Sequence, residues 1–121
     1  EEMETTALLV SDTLLRIPGS PENWNESTVR SIGLATKENV LNESKVRMFF
    51  SLDYERIKEL LGLKENEFYL KITELNGSII TLNGTYLEKG TYPENKTITV
   101  SVERYILLNS TIARFFLVLY R

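Results

Sequence analysis

The sequence predicts an α+β domain in which one N-terminal helix packs on an antiparallel β-sheet of about four strands, with a short kinked helix ahead of the sheet. Three observations carry this. Apolar residues near the N-terminus recur with the 3.6-residue period of a helix. After Gly62 the apolar period drops to two, the signature of strands. Between those regimes lies a turn-rich stretch holding two of the chain's three prolines.

Met3, Ala7, Val10, Leu14 and Ile17 define the first helix, with Leu8 and Leu15 widening its stripe, so residues 2 to 16 are expected to be helical. Ile17-Pro18-Gly19-Ser20-Pro21 ends it, because proline lacks a backbone donor and disfavours helical geometry in the residue before it. Glu1, Glu2 and Glu4 suit a helix N-terminus, yet no Ser, Thr, Asp or Asn cap precedes them. The expectation is a helix that continues upstream, with residues 1–17 as its end. The stripe Met3, Ala7, Val10 and Leu14 has two readings: packing on its own sheet, or a face for assembly with other subunits. Own-sheet packing is favoured for Leu14 and Ile17.

Residues 18–43 read as a loop tied down by Trp24, with a short extended stretch at 29–34. Residues 44–62 read as a helical segment broken at Asp53. There Asp53 is a candidate N-cap, Leu52 and Ile57 a hydrophobic staple, and Gly62 the left-handed residue that closes the helix. Residues 66–121 read as sheet. Phe68, Leu70 and Ile72 share one face, and Asn76-Gly77 signals a tight hairpin into Ile80 and Leu82. Residues 84–96 form the longest candidate loop. Ile98, Val100 and Val102 alternate with Thr97, Thr99 and Ser101, and Ile112 to Tyr120 is apolar at nearly every position, so the two strands are expected to pair as a second hairpin. A strand apolar on both faces must be covered on both, which places Phe115 to Tyr120 in mid-sheet beneath the N-terminal helix. The whole chain, 1–121, reads as one domain, a size at which a single core suffices without metal or disulfide.

Composition narrows the function classes. The net charge is −3 and the basic residues are scattered, so the footprint of nucleic-acid binding is missing. Neither His nor Cys occurs, which removes the commonest general base, the soft metal ligands and the thiol nucleophile. No catalytic residue, metal ligand or cofactor is assigned. Glu67 with Glu74, or Glu22 with Glu26, resembles a glycosidase pair only in residue type, since sequence spacing does not bring two carboxyls to the required separation. Fifteen of the seventeen acids are Glu, a lean towards a heat-adapted organism.

Six Asn-x-Ser/Thr sequons stand at Asn25, Asn42, Asn76, Asn83, Asn95 and Asn109, where chance gives about 1.6. Asn76, Asn83 and Asn109 also read as turn residues. The excess points to N-glycosylation on a solvated exterior reached by export. Trp24, Tyr86 and Tyr92 are the candidates for contact with a ligand such as a sugar, through their aromatic faces.

The order of parts resembles archaeal type IV pilin-like proteins with a class III signal peptide. The residues that carry the resemblance are Leu14-Leu15-Arg16-Ile17-Pro18-Gly19-Ser20-Pro21 with Trp24, then Ile32-Gly33-Leu34, then Leu60-Leu61-Gly62 followed by Phe68-Tyr69. The resemblance implies a non-enzymatic, membrane-anchored subunit on the cell surface that acts in assembly or adhesion. Its anchor would be an apolar helix upstream of Glu1, and its partners other pilin subunits, the membrane and a surface glycan or protein. The alternative is a membrane-anchored extracellular module that binds a sugar or other ligand.

Overall fold

A computed structural model describes residues 2–95 and 98–121, so Glu1, and Lys96-Thr97 of the Asn95 sequon, lie outside the described residues. The order of elements is α1 (Glu2–Arg16), β1 (Gly19–Ser20), β2 (Ser31–Ile32), β3 (Ala35–Lys37), β4 (Val40–Leu41), α2 (Glu43–Ser51), α3 (Tyr54–Leu61), β5 (Glu67–Thr73), β6 (Thr81–Leu82), β7 (Thr85–Tyr86), β8 (Glu88–Gly90), β9 (Thr99–Leu108) and β10 (Thr111–Tyr120). The main sheet has six strands in the order β3-β4-β9-β10-β5-β8, and the helices share its inner face. The pairs β1–β2 and β6–β7 form two small ribbons beside it.

The α+β class with a helix on a sheet is therefore what the chain adopts, with two more strands than expected and one pair that is not antiparallel. β4 runs parallel to β9, Val40 beside Leu107 and Leu41 beside Leu108. The extra strands come from segments read as loops. Residues 18–43 contain four short strands, and residues 84–96 contain β7 and β8, of which β8 pairs with β5. Strands this short leave no periodicity to read. Their existence depends on what lies beside them.

For β3 and β4 that neighbour is the C-terminus of α1. A helix ends with carbonyls that lack intrahelical donors. Here Leu34 N–H donates to Leu14 O at 3.0 Å, Asn39 N–H to Leu15 O at 2.7 Å and Ala35 N–H to Ile17 O at 3.2 Å. Residues 34–39 thus cap the helix and are carried to the edge of the sheet. Gly33 permits the approach: a Cβ there would lie 2.1 Å from Ile17 O and 2.4 Å from Gly19 N. Trp24 closes the same joint, its indole N–H shared between Pro18 O at 3.1 Å and Gly33 O at 3.0 Å. Lys45 adds a third strut, its Nζ donating to Pro18 O at 2.7 Å.

The segment 44–62 resolves into two helices at the expected break. Asn42 caps α2 by accepting from Lys45 N–H, and Asp53 caps α3 by accepting from Glu55 N–H. Leu52 and Ile57 are both buried, and Gly62 ends α3 with φ +68°. α1 spans the expected residues and buries Met3, Ala7, Val10 and Leu14. Ile17, by contrast, is exposed, because the chain turns away at Pro18 before it reaches the core, and Leu8 also faces water.

β9 and β10 form the longest ladder, ten residues each, joined by Asn109-Ser110, both left-handed as a tight type I′ turn demands. β10 lies between β9 and β5, as its double-faced apolar pattern requires. Ala113, Phe115, Leu117 and Leu119 enter the helix-covered core, while Val118 and Tyr120 are buried on the opposite face with Tyr69. The hairpin expected at Asn76-Gly77 does reverse the chain, but through a turn over Glu74–Gly77 and a single bridge, Thr73 to Ile79. β6 pairs with β7 and not with β5.

The two glycines make opposite demands. Gly33→Ala is expected to lower stability by about 3 kcal/mol, since its new methyl meets backbone that cannot give way. Gly62→Ala, with nothing within 4 Å of the new Cβ, should cost about 1 kcal/mol, from left-handed strain alone. Urea unfolding of the two variants beside the wild type checks the order; equal losses would contradict it.

Candidate functional site

The principal concavity is an apolar groove of about 490 Å³ at the turn end of the β9–β10 hairpin. Leu75, Ile80, Leu82, Leu108, Ile112 and Ala113 line it, and Glu74, Asn76, Asn109 and Thr111 stand around them. Two turns build it. The left-handed pair Asn109-Ser110 swings β10 back beside β9, and the 74–78 turn, in which Asn76 Oδ1 accepts from Ser78 N–H, holds Leu75 beside the groove. Arg114 steadies that turn from β10, pairing with Glu103 and donating to Leu75 O at 3.5 Å.

Around the hairpin end the apolar surface continues onto the outer face. Leu75, Tyr105, Leu107 and Ile112 are all exposed, and a second hollow beside Val40 is lined by Tyr105, Leu107 and Ile112. Ile112 therefore belongs to both concavities. An exposed apolar patch of this kind, bordered by polar turns, is the form that protein-interaction surfaces take. Among the described residues, no group of three or more acidic side chains is placed to hold a metal ion.

The candidates named from sequence fall in different places. Met3, Ala7, Val10 and Leu14 are buried against the chain's own core, so this stripe does not offer an assembly face in this fold. Helical spacing identified a buried face without telling which surface buries it. Trp24 is only 1% exposed and its indole N–H is engaged, which removes it as a ligand contact. Its ring fills the joint between α1 and the sheet. Tyr86 and Tyr92 are exposed. Tyr92 stands edge-on to Tyr69 with ring centroids 5.5 Å apart, while Tyr86 lies on the separate β6–β7 ribbon.

Of the six sequon asparagines, Asn25, Asn76, Asn83, Asn95 and Asn109 are exposed and Asn42 is half-buried at the start of α2. Each has a local conformational task. Asn25 and Asn76 accept backbone N–H groups within their own turns, and Asn42 caps a helix. Asn83, Asn95 and Asn109 take left-handed φ. Turn chemistry accounts for asparagine at these sites; of the hydroxyl residues two positions later, Thr111 donates to Asn109 O at 3.4 Å, and Thr97 lies outside the described residues.

The carboxylate pairs do not converge. Glu67 and Glu74 lie at opposite ends of β5, seven residues or about 23 Å apart at strand rise, and Glu22 and Glu26 sit on an exposed loop. Glu67 instead accepts from Tyr54 Oη at 2.7 Å and pairs with Lys58 at 3.0 Å. The Tyr54 hydroxyl also receives Phe68 N–H at 2.9 Å, which closes the edge of β5 beyond β8. Sequence reasoning missed this cluster because its members come from different elements.

Burial, first, pushes the Tyr54 and Tyr69 hydroxyls well above their ordinary range, and their bonds to Glu67 and Glu88 push further. Tyr120 is raised by burial and by the nearby Glu67, against a smaller opposing influence of Lys58. Lys45 is lowered by burial, partly offset by Glu22.

No known family profile, no curated protein and no solved structure matches this chain. What the observations define is an α+β domain with a helix on a curled mixed sheet and an apolar groove at one end of its central hairpin.

The three raised tyrosines set an alkaline limit. A tyrosine whose folded pKa exceeds its unfolded value of 10.0 contributes stability that is full below pH 10 and is lost as pH rises towards the folded value. The melting temperature is expected to fall as pH rises from about 10 to about 11.5, and the fall should be smaller in Tyr69→Phe. A flat profile across that range would contradict the assignment.

Proposed function

We propose that this domain is a non-enzymatic, pilin-like subunit of the cell surface that works in assembly or adhesion by packing and recognition. The observation that carries the reading is the apolar hairpin end: Leu75, Leu107 and Ile112, with Tyr105, stay in water around a groove that the chain's own core leaves unfilled. The resemblance to archaeal pilin-like proteins in residues 14–34 and 60–69 supports the class. The sequon excess supports an exported exterior, and five exposed asparagines are sterically free to carry glycans.

In this reading other subunits or a surface ligand occupy the hairpin end, and the head is held at the membrane by an apolar segment of about 20 residues encoded upstream of Glu1. The groove is suited to apolar side chains of a partner, since its floor offers methyl and methylene groups and its polar groups stand in the flanking turns. A second reading, a sugar-binding module, rests on Tyr92, whose exposed ring is braced by Tyr69. Binding to arrayed glycans that is lost in Tyr92→Ala and kept in Ile112→Glu would favour it over the first.

Two measurements test the main proposal. Glycopeptide mass spectrometry of protein recovered from its native cells should find Asn25, Asn76, Asn83, Asn95 and Asn109 occupied, with Asn42 the least so. Bare sequons on an intracellular protein would refute the reading. Ile112→Glu should abolish incorporation into surface assemblies, or adhesion, while altering folding stability by less than about 0.5 kcal/mol, as expected for an exposed position.

A further inference from the structure

Among the described residues, one side of β9 lacks a partner along most of its length. β10 pairs with all ten residues, whereas β4 reaches only Leu107 and Leu108. Leu107 N–H donates to Asn39 O at 2.9 Å, away from β10. Alternation along the strand aims the N–H and C=O groups of Tyr105, Glu103, Ser101 and Thr99 the same way. Among the described residues, no hydrogen bond is made to these groups on that side, and the four side chains are exposed on the outer face.

Natural sheets blunt such edges with lysine, proline, bulges or a covering element. From Thr99 to Tyr105 there is no lysine and no proline, and the ladder with β10 runs without a bulge. The one acid aimed outward, Glu103, is held by the Arg114 guanidinium on β10. The edge is thus regular, seven residues long and nearly neutral.

The helix beside it adds an apolar flank. Asp12 meets Arg104 of β9 at 3.2 Å, and Leu15 O accepts from Asn39, whose own carbonyl holds Leu107, so α1 and β9 run in the same direction. Leu8 lies one turn before Asp12 on the same stripe. One helical turn advances about 5.4 Å and a strand residue about 3.3 Å, which sets Leu8 near the level of Val102. Leu8 is 49% exposed and Leu9 61%.

We infer that this edge pairs with the same edge of a second copy of the chain, antiparallel about a twofold axis through Val102. In that register Ser101 of one copy faces Glu103 of the other, and Thr99 faces Tyr105, all with N–H and C=O groups directed at the partner. A register centred on Glu103 would set like charges directly opposite, which is unfavourable. One centred on Ser101 would place Tyr105 against a residue beyond the strand. With Val102 on the axis the two Leu8 side chains meet beneath the joined sheets. A lone extended peptide would leave those leucines in water, which is the reason to choose a second copy as the occupant. The inference stands on this edge alone and does not depend on the groove or on the proposed function.

Sedimentation equilibrium across a dilution series, with hydrogen exchange on the same samples, tests it. The wild type should be dimeric, with the Glu103 and Tyr105 amides exchanging roughly tenfold or more slowly than in a monomeric variant. Ser101→Pro removes no ladder bond, because the Ser101 N–H faces outward, and it should weaken the dimer at least tenfold with an unchanged far-ultraviolet spectrum. Ser101→Glu, which in this register faces Glu103 of the second copy, should do the same by like-charge repulsion if proline perturbs the strand, and Leu8→Asp should weaken the dimer from the helix side. A monomeric wild type overturns the proposal, whatever peptide it captures. So does a dimer that survives both edge variants, which would instead place the contact elsewhere, as at the hairpin groove.

Discussion

The fold depends on the joint between the end of α1 and residues 33–39. A helix that stops inside a domain leaves carbonyls that must find donors, and here the donors are the amides of Leu34, Ala35 and Asn39. The two backbones approach so closely that only glycine fits at residue 33. The Trp24 indole and the Lys45 ammonium then converge on Pro18 O, so that a turn and a helix share one acceptor. Once this joint forms, α1 has its direction across the sheet, β4 has its position beside β9, and the Met3-to-Leu14 stripe has a surface to cover.

From that arrangement follows where the molecule is closed and where it is open. Helices cover the inner face up to the groove at the hairpin end. The outer face is covered in part: Tyr92 lies against Tyr69, and Tyr120 Oη donates to Thr91 O at 2.9 Å, so the segment after β8 shields Val118 and Tyr120. At the other end of β10 Ile112, and Leu107 opposite it on β9, stay exposed. β4 does not pair with β9 before Leu107, because the turn at Glu38-Asn39 folds the chain back into β3 there. The apolar hairpin end and the open β9 edge thus arise from the same economy, a sheet with more strand than the rest of the chain can cover.

The asparagines show how one residue serves two arguments. At Asn83 and Asn109 the left-handed backbone is itself a reason for asparagine, as it is at Asn39, which belongs to no sequon. The Thr111 hydroxyl donates to the Asn109 carbonyl, but a left-handed asparagine does not itself call for a hydroxyl residue two positions later. For that cause the sequon pattern retains its weight beside a full conformational account of each asparagine. A similar double reading applies to the residues that carry the resemblance, since Pro18, Gly19, Trp24 and Gly33 all lie in the joint and are constrained by its close contacts before any partner acts on them.

Local chemistry is what the sequence determined by itself. The extent of α1, the break between α2 and α3 at Asp53, the Gly62 stop, and the β9–β10 hairpin at Asn109-Ser110 each follow from periodicity, caps and turn residues that act within a few positions. The central place of β10 was legible too, because both of its faces are apolar. Only the tertiary structure decided which surface each apolar face meets. It turned Met3, Ala7, Val10 and Leu14 into a private core, set Trp24 inside a joint, and recruited β3, β4 and β8 into the sheet although they are too short to show a period. It alone brought Leu75, from a turn, beside Ile112, at the start of β10. Contacts between residues distant in sequence are set by the packing of whole elements, and no pattern along the chain encodes them.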